Sequence, residues 1–347
     1  MQEAKSDRLL SIDALRGFDM CWILGLSGVL RKVTGEGWLS QQMTHVDWEG
    51  FRFYDLIFPL FLFLSGVSLA YAVPKRLSTR GVQATVLHLL WRGLILTCLG
   101  ILLSGGVKDG WEQVRWLGVL QRIGIASMCA GMISIWFSTV GVAIWASGLL
   151  LGYCLLLGFV PVPGFGAGDF REGHNLTNYL DKMFLPGRKY DGEHDPEGLL
   201  STLPAIATAL LGILAGKWLK SGVSDAKKSG GLIAAGVILL ICGWAWHPFF
   251  PVIKKIWTSS FVLVSAAWSS ILLGVFCLVV DQCRCRRWTL PFVWVGSNPI
   301  LLYLLSGFGA FSAVAARLGG TGQPLVSFGL MLALAWWLHK QQIVVKV

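Results

Sequence analysis

Phe53-Tyr54-Asp55-Leu56-Ile57-Phe58-Pro59-Leu60-Phe61-Leu62-Phe63-Leu64-Ser65-Gly66 opens an apolar run that continues to residue 73. A run of about 20 such residues is what a helix needs to cross a hydrocarbon core of roughly 30 Å, where every backbone N–H and C=O must be satisfied within the segment. Working outward, the same pattern recurs near 13–31, 86–104, 117–137, 139–158, 199–217, 231–248, 258–281, 291–309 and 324–339, each run bounded by polar residues, glycine or proline. The expected fold is therefore all-α: a polytopic integral membrane helix bundle of about 10 transmembrane helices. Composition agrees, since 54% of the 347 residues are hydrophobic and 14% are charged, against roughly 25% charged in soluble domains. An ordinary soluble globule is excluded.

No Pro-, Ser- or charge-rich linker and no internal repeat divides the chain, so residues 1–347 are expected to form a single transmembrane domain. Its longer outer-face loops are 32–52 and 159–198. The first run follows Arg8 and Arg16 and has no small-residue cleavage site behind it, so it reads as a retained helix rather than a signal peptide. An excess of Lys and Arg, including Lys5, Arg8, Arg16, Lys75, Arg76, loop 284–287 and Lys346, marks the cytoplasmic face and puts both termini there. The net charge of +10 is scattered over helix ends. That distribution points to lipid headgroups and an anionic cofactor, not to nucleic acid. Six cysteines lie singly in spans, and Cys283 and Cys285 share a loop on the reducing side, where two ligands cannot complete a zinc site.

Between the first two runs lies Met43-Thr44-His45-Val46-Asp47-Trp48-Glu49-Gly50, a titratable cluster at a membrane surface. An imidazole there is a candidate for proton transfer or covalent chemistry. Asp55 could orient His45, accept a proton, or cap its helix, and Pro59 is expected to kink that helix near a polar pocket. Further back, Ser11 reads as an N-cap and Asp13 as a first-turn carboxylate, while Arg16 and Asp19 are spaced to pair at i, i+3 unless Arg16 binds phosphate. Gly118-Val119-Leu120-Gln121-Arg122 puts a guanidinium and an amide inside an apolar span, where they need a partner or a watery cavity. Gly296-Ser297-Asn298-Pro299 is either a capped helix start or a ligand site. Metal-ligand spacings, a P-loop and a G-x-S-x-G elbow are all missing, so no metal site is expected.

Taken in order, Arg8-Leu9-Leu10-Ser11-Ile12-Asp13-Ala14-Leu15-Arg16-Gly17, His45 with Trp48 and Gly50, Asp55-Leu56-Ile57-Phe58-Pro59, Gly118-Val119-Leu120-Gln121-Arg122, Asp195-Pro196-Glu197-Gly198 and Asn298 resemble the heparan-α-glucosaminide N-acetyltransferase family and its bacterial relatives. The resemblance runs from about residue 8 to the last helix, and the chain is expected to hold the compact multispan core without the extra lumenal domain of the lysosomal enzyme. It implies transfer of acetyl from cytoplasmic acetyl-CoA to the amine of glucosamine, or of a glucosamine-containing saccharide, on the opposite side. A bacterial inner membrane is the location it implies, and a homodimer is one assembly to test. The family's active-site histidine lies in the motif that His45 matches. Ser27 stands where the lysosomal enzyme has Asn, and Ser306 where it has His.

Residue chemistry fits that implication. Transfer to an amine needs a base near the working pH, and histidine as a residue type titrates there, at about 6.5. His45 is expected either to act as that base or to carry the acetyl group, with Asp55 beside it. Asn298, Gln121 and Arg122 are candidate oxyanion donors, and Gln121 and Arg122 also belong to the expected cofactor site. Arg16, Lys75 and Arg76 are candidates for the cofactor phosphates, and Asp47, Trp48, Asp195 and Glu197 for the cationic sugar. A secondary transporter of a sugar or lipid, and a polysaccharide O-acyltransferase, are the alternatives.

Overall fold

A computed structural model of the chain describes residues 9–318 and 322–345. Lys5, Arg8 and Lys346, part of the charge argument above, lie outside the described residues. Every regular element among the described residues is helical, with only isolated bridges such as Glu49 to Ile253 and Arg115 to Gly187. By length and composition, six described helices can cross a membrane, or seven if the pair Arg287–Ser297 and Pro299–Gly307, bent by 69°, is one span.

The longest helix, Phe53–Leu103, has 51 residues. At about 1.5 Å per residue it would be about 76 Å long if straight, more than twice the hydrocarbon core. It is not straight. Gly81 takes φ 76° and ψ 178°, a conformation that only glycine adopts freely, and the chain turns back on itself there. A Cβ placed on Gly131 would lie 3.0 Å from Leu89 and 3.6 Å from Leu69. Those two leucines would be about 30 Å apart on a straight helix, so 53–80 and 82–103 run side by side. The expected runs 53–73 and 86–104 are these two arms. Pro59 was expected to kink the first arm, yet it and Pro74 stay within the helix, and Gly81 alone has non-helical torsions.

Of the remaining runs, those near 117–137, 139–158, 199–217, 231–248 and 258–281 correspond to Val119–Trp136, Thr139–Phe159, Thr202–Leu219, Asp225–Trp246 and Ser259–Gln282. The run at 291–309 is the bent pair, and 324–339 is Gln323–Lys340. The run at 13–31 breaks at Gly25 (φ 125°) between Leu10–Cys21 and Ser27–Thr34.

Contacts divide the described chain into two units. One holds the residues up to Met43, Gly222–Ala235 and those from Ser270; the other holds Thr44–Ser221 and Gly236–Ser269. In the first unit, Leu10–Cys21 packs on Leu290–Ser297. A Cβ on Gly17 would sit 1.6 Å from the Phe292 carbonyl oxygen, and one on Gly296 would sit 2.3 Å from that of Asp13. Only hydrogen fits at this crossing, which is the physical reason for both glycines. Ser11 does not cap: the helix begins one residue earlier, and the Ser11 hydroxyl lies 3.3 Å from Cys277 Sγ. In the second unit the core gathers Leu62, Leu69, Leu89, Ala126, Ala205, Leu210, Trp257 and Phe261 from five segments. A smaller cluster of Tyr153, Leu157, Leu176, Phe250 and Ile256 lies beneath loop 159–198, which contains the helix Leu176–Phe184.

Candidate active site

Asp55 gives each carboxylate oxygen its own task. Oδ2 accepts the backbone N–H of Arg52 at 3.0 Å and that of Val46 at 3.4 Å, part of the capping box that starts the helix. Oδ1 lies 2.8 Å from His45 Nδ1. Of the expected roles (orienting His45, accepting a proton, capping the helix), the bonds show the cap and a direct contact with the His45 ring nitrogen in one side chain. Its side chain is fully buried, whereas the imidazole is 51% exposed. A carboxylate only accepts, so this contact puts the ring proton on Nδ1 and leaves the electron pair on Nε2. Arg52 steadies the loop from the other side by donating to the His45 carbonyl at 2.8 Å and to Thr44 Oγ1 at 2.9 Å. The Tyr54 ring lies 4.7 Å from the imidazole between centroids.

Lys254 completes this centre. Its Nζ lies 2.7 Å from His45 Nδ1, 3.2 Å from Nε2 and 3.4 Å from Asp55 Oδ1. Burial pushes the Lys254 ammonium below the usual lysine range, against the pull of Asp55 and Glu197. The segment carrying it is laced to the histidine loop: Gly50 N–H donates to the Val252 carbonyl at 2.8 Å, and Val252 N–H donates to His247 Nδ1 at 3.1 Å. His247 Nε2 in turn lies 3.4 Å from Glu49. Trp257 anchors the far end. Its φ is +52°, uncommon for so bulky a residue. Full burial, an indole N–H bonded to Thr208 Oγ1 at 3.2 Å, and edge contacts with Phe58 and Phe261 hold it there.

A second polar assembly is built around Arg115. Its Nε and Nη2 grip Asp195 at 2.8 and 2.7 Å, and Nη2 also reaches Glu197 at 2.7 Å. Burial alone would raise the Asp195 carboxyl, but the Arg115 guanidinium and the backbone N–H groups of Glu197 and Tyr190 hold it below the usual carboxylate range. The two carboxylates expected to meet a sugar amine are thus engaged by a guanidinium. Asp181 accepts from the backbone of Leu199 at 2.8 Å and of Asp195 at 3.3 Å, and burial pushes its carboxyl up to about 6. Gly198 leaves it room: a Cβ there would fall 1.9 Å from Asp181 Oδ2.

Gln121 and Arg122 sit beside this assembly. Gln121 is buried against Gly100 and donates to the Arg115 carbonyl at 3.3 Å. Arg122 lies 5.0 Å over the Trp257 ring and donates through Nη2 to Ser201 Oγ at 2.5 Å and to the Gly198 carbonyl at 3.2 Å. Its Nε and Nη1 have no hydrogen-bond partner among the described residues.

The other expected residues are placed as follows. Asp47 and Lys75 are exposed and Arg76 is half-buried. Trp48 is half-buried, donating its indole N–H to the Phe170 carbonyl at 3.0 Å. Asn298 belongs to the first unit. It makes no side-chain cap bond; instead Nδ2 donates to the Ile343 carbonyl and Oδ1 accepts from Val345 N–H, each at 2.8 Å. Arg16, also in that unit, reaches Asp13 at 3.4 Å instead of forming the expected pair with Asp19. The buried Asp19 carboxylate has no hydrogen-bond partner among the described residues.

Glu172, Asp191 and His194 converge as a candidate cation cluster. Lys255 brings its own ammonium to it, 3.1 Å from Glu172 and 3.2 Å from Asp191, so the chain itself supplies a countercharge. Sequence reasoning passed over Arg115, Lys254 and Lys255. The signal was there: two adjacent lysines between apolar runs, on the face where the topology expectation depletes them.

A profile of the family described as heparan-alpha-glucosaminide N-acetyltransferase, catalytic, matches residues 8–245. The human heparan-alpha-glucosaminide N-acetyltransferase is 28% identical, over 86% of this chain and 52% of its own length. The mouse enzyme of the same name is 27% identical, over 87% of this chain and 54% of its own. The chain spans about half the length of the curated relatives it matches.

Proposed function

Because the chain belongs to the heparan-alpha-glucosaminide N-acetyltransferase catalytic family, we propose that it is a membrane N-acetyltransferase, moving acetyl from acetyl-CoA to the amine of glucosamine or a glucosamine-containing saccharide. The observation that carries this reading is the half-exposed His45 imidazole, fixed through Nδ1 by the buried Asp55 at 2.8 Å. Such a pair leaves Nε2 as an electron-pair donor, suited to accept the proton of the attacking amine or to take the acetyl group itself. In the first route the amine nitrogen bonds to the thioester carbon, the C–S bond breaks, and the proton shed by nitrogen passes through His45 to the leaving thiolate. In the second, Nε2 bonds to that carbon and the C–S bond breaks, releasing the thiolate; the amine nitrogen then bonds to the acetyl carbon as its bond to the ring breaks, and the proton shed by the amine passes to the thiolate.

Arg122, with two nitrogen donors unused, is the candidate partner for a cofactor or oxyanion oxygen, with Gln121 beside it. Lys75 and Arg76 are proposed to meet the cofactor phosphates, and Asp47 and Trp48 the acceptor sugar. Acetyl-CoA is proposed to arrive from the cytoplasm and the acceptor to sit outside, with both termini in the cytoplasm of a bacterial inner membrane. Reporter fusions at residues 44–52 test that sidedness, and a cytoplasmic reading there overturns it.

The activity is tested by incubating purified protein with acetyl-CoA and glucosamine, and measuring free CoA and N-acetylglucosamine. Product is expected from the parent and not from His45→Ala. Equal product from the two removes His45 from the mechanism. No product with any amino sugar favours the transporter reading.

A further inference from the structure

We infer that Lys254 is a positioning residue that keeps the His45 imidazole unprotonated, with its electron pair on Nε2, at the pH where the transfer proposed above operates. That purpose rests on the proposed acetyl transfer; the coupling itself rests on geometry. One ammonium lies 2.7 and 3.2 Å from the two ring nitrogens and 3.4 Å from the carboxylate that orients the ring. Nδ1 has a single bonding direction, yet Asp55 at 2.8 Å and Lys254 at 2.7 Å both approach it. The carboxylate can only accept and the ammonium can only donate. With the Nδ1 proton given to Asp55, Lys254 is left to Asp55 Oδ1 and to the Nε2 side of the ring.

The charge balance gives this arrangement its consequence. A carboxylate alone beside an imidazole favours the imidazolium, which can neither take a proton from an amine nor attack a thioester. A cation within a few ångströms opposes that second positive charge. Among the described residues, the groups facing the ring are Asp55 and Tyr54 from the helix start, Arg52 through the His45 carbonyl, and Lys254 from the 247–258 segment. Lys254 itself faces Asp55 and the field of Glu197. Around the ring, then, one carboxylate is set against two cations, of which only Lys254 approaches the ring nitrogens. Its position is not left to a mobile side chain on a free loop: the backbone bond from Gly50 to Val252 and the buried Trp257 fix the segment on either side of it.

The readout is carbethoxylation of His45 by diethyl pyrocarbonate, which requires an unprotonated imidazole, followed across pH by peptide mass spectrometry. In Lys254→Met the pH midpoint of His45 modification is expected to rise by about one unit or more, as Asp55 then acts unopposed. Lys254→Arg, which keeps the charge, is expected to retain the parent midpoint. Lys254→Gln serves if the methionine variant does not fold. An unmoved midpoint in either folded neutral variant overturns the inference. So does failure of both neutral variants to fold while the arginine variant folds, which would make Lys254 a structural ion-pair residue. Carbethoxylation reports the ring and not the reaction, so a protein that transfers no acetyl overturns the proposed function while leaving this measurement standing. Where transfer is measured, the acid limb of kcat/KM is expected to move with the modification midpoint.

Discussion

His45 and Asp55 meet at 2.8 Å across a boundary between solvent and core: the imidazole is half exposed and the carboxylate is fully buried. That asymmetry fixes the ring while leaving it reachable. Replacing Asp55 by Asn keeps the shape but offers Nδ1 a donor, which turns the ring to the tautomer with its proton on Nε2. We expect kcat in Asp55→Asn to fall by about 10²-fold or more, with a smaller change in KM, because positioned proton transfer contributes about 10²–10⁴. Steady-state kinetics on the parent and Asp55→Asn decide; a change confined to KM would assign Asp55 to substrate binding.

Among the described residues, Arg115 is the single cation bonded to Asp195 and Glu197, and its side chain is only 15% exposed. Removing it leaves two carboxylates largely buried without that partner. Arg115→Met is expected to lose about 3–5 kcal/mol of stability, the cost of breaking a buried ion pair from one side. Arg115→Lys, which cannot grip Asp195 through two nitrogens, should fall between the two. Thermal unfolding in detergent measures both, and a methionine variant as stable as the parent contradicts the assignment.

Asp181 carries a pH signature of the opposite sign to the usual carboxylate. Burial raises its folded value to about 6, above the ordinary 3.8. A group raised on folding contributes stability that is full below its unfolded value and is lost as pH rises through its folded one. Between about pH 4 and pH 7 the loss is about 3 kcal/mol, at roughly 1.4 kcal/mol per unit. Asp181→Asn should flatten this part of the melting-temperature profile, and an unchanged slope would show that Asp181 does not produce it.

At the crossing of Leu10–Cys21 with Leu290–Ser297, the added methyl of Gly17→Ala meets the Phe292 carbonyl oxygen at 1.6 Å. The helices must separate to admit it. A destabilisation of about 1–3 kcal/mol is expected, as for other overpacked contacts. Gly25→Ala adds a Cβ that meets no atom within 4 Å, but it strains a φ of 125°, so its effect is backbone strain and not a clash. Melting temperatures and refined coordinates of the two variants separate the mechanisms: helix displacement in Gly17→Ala only is the expected result.

Hydrophobic run length is a local property, so the chain itself determined that its regular structure is helical and apolar enough for a membrane. The ordered motifs around Arg16, His45, Asp55 and Arg122 likewise carried the family, which the match over residues 8–245 shows. Capping chemistry was legible at Asp55 because it acts over three residues. Sequence periodicity could not tell that 53–73 and 86–104 are arms of one helix bent at Gly81, since an isolated glycine reads the same whether or not it turns. Nor could it show that Asp19 lacks Arg16, that Arg115 takes both Asp195 and Glu197, or that Lys254 lies against His45 from 209 residues away. The last two are contacts between charges distant in sequence. Burial makes their pairing valuable, and only the packing of helices decides which charges are buried together.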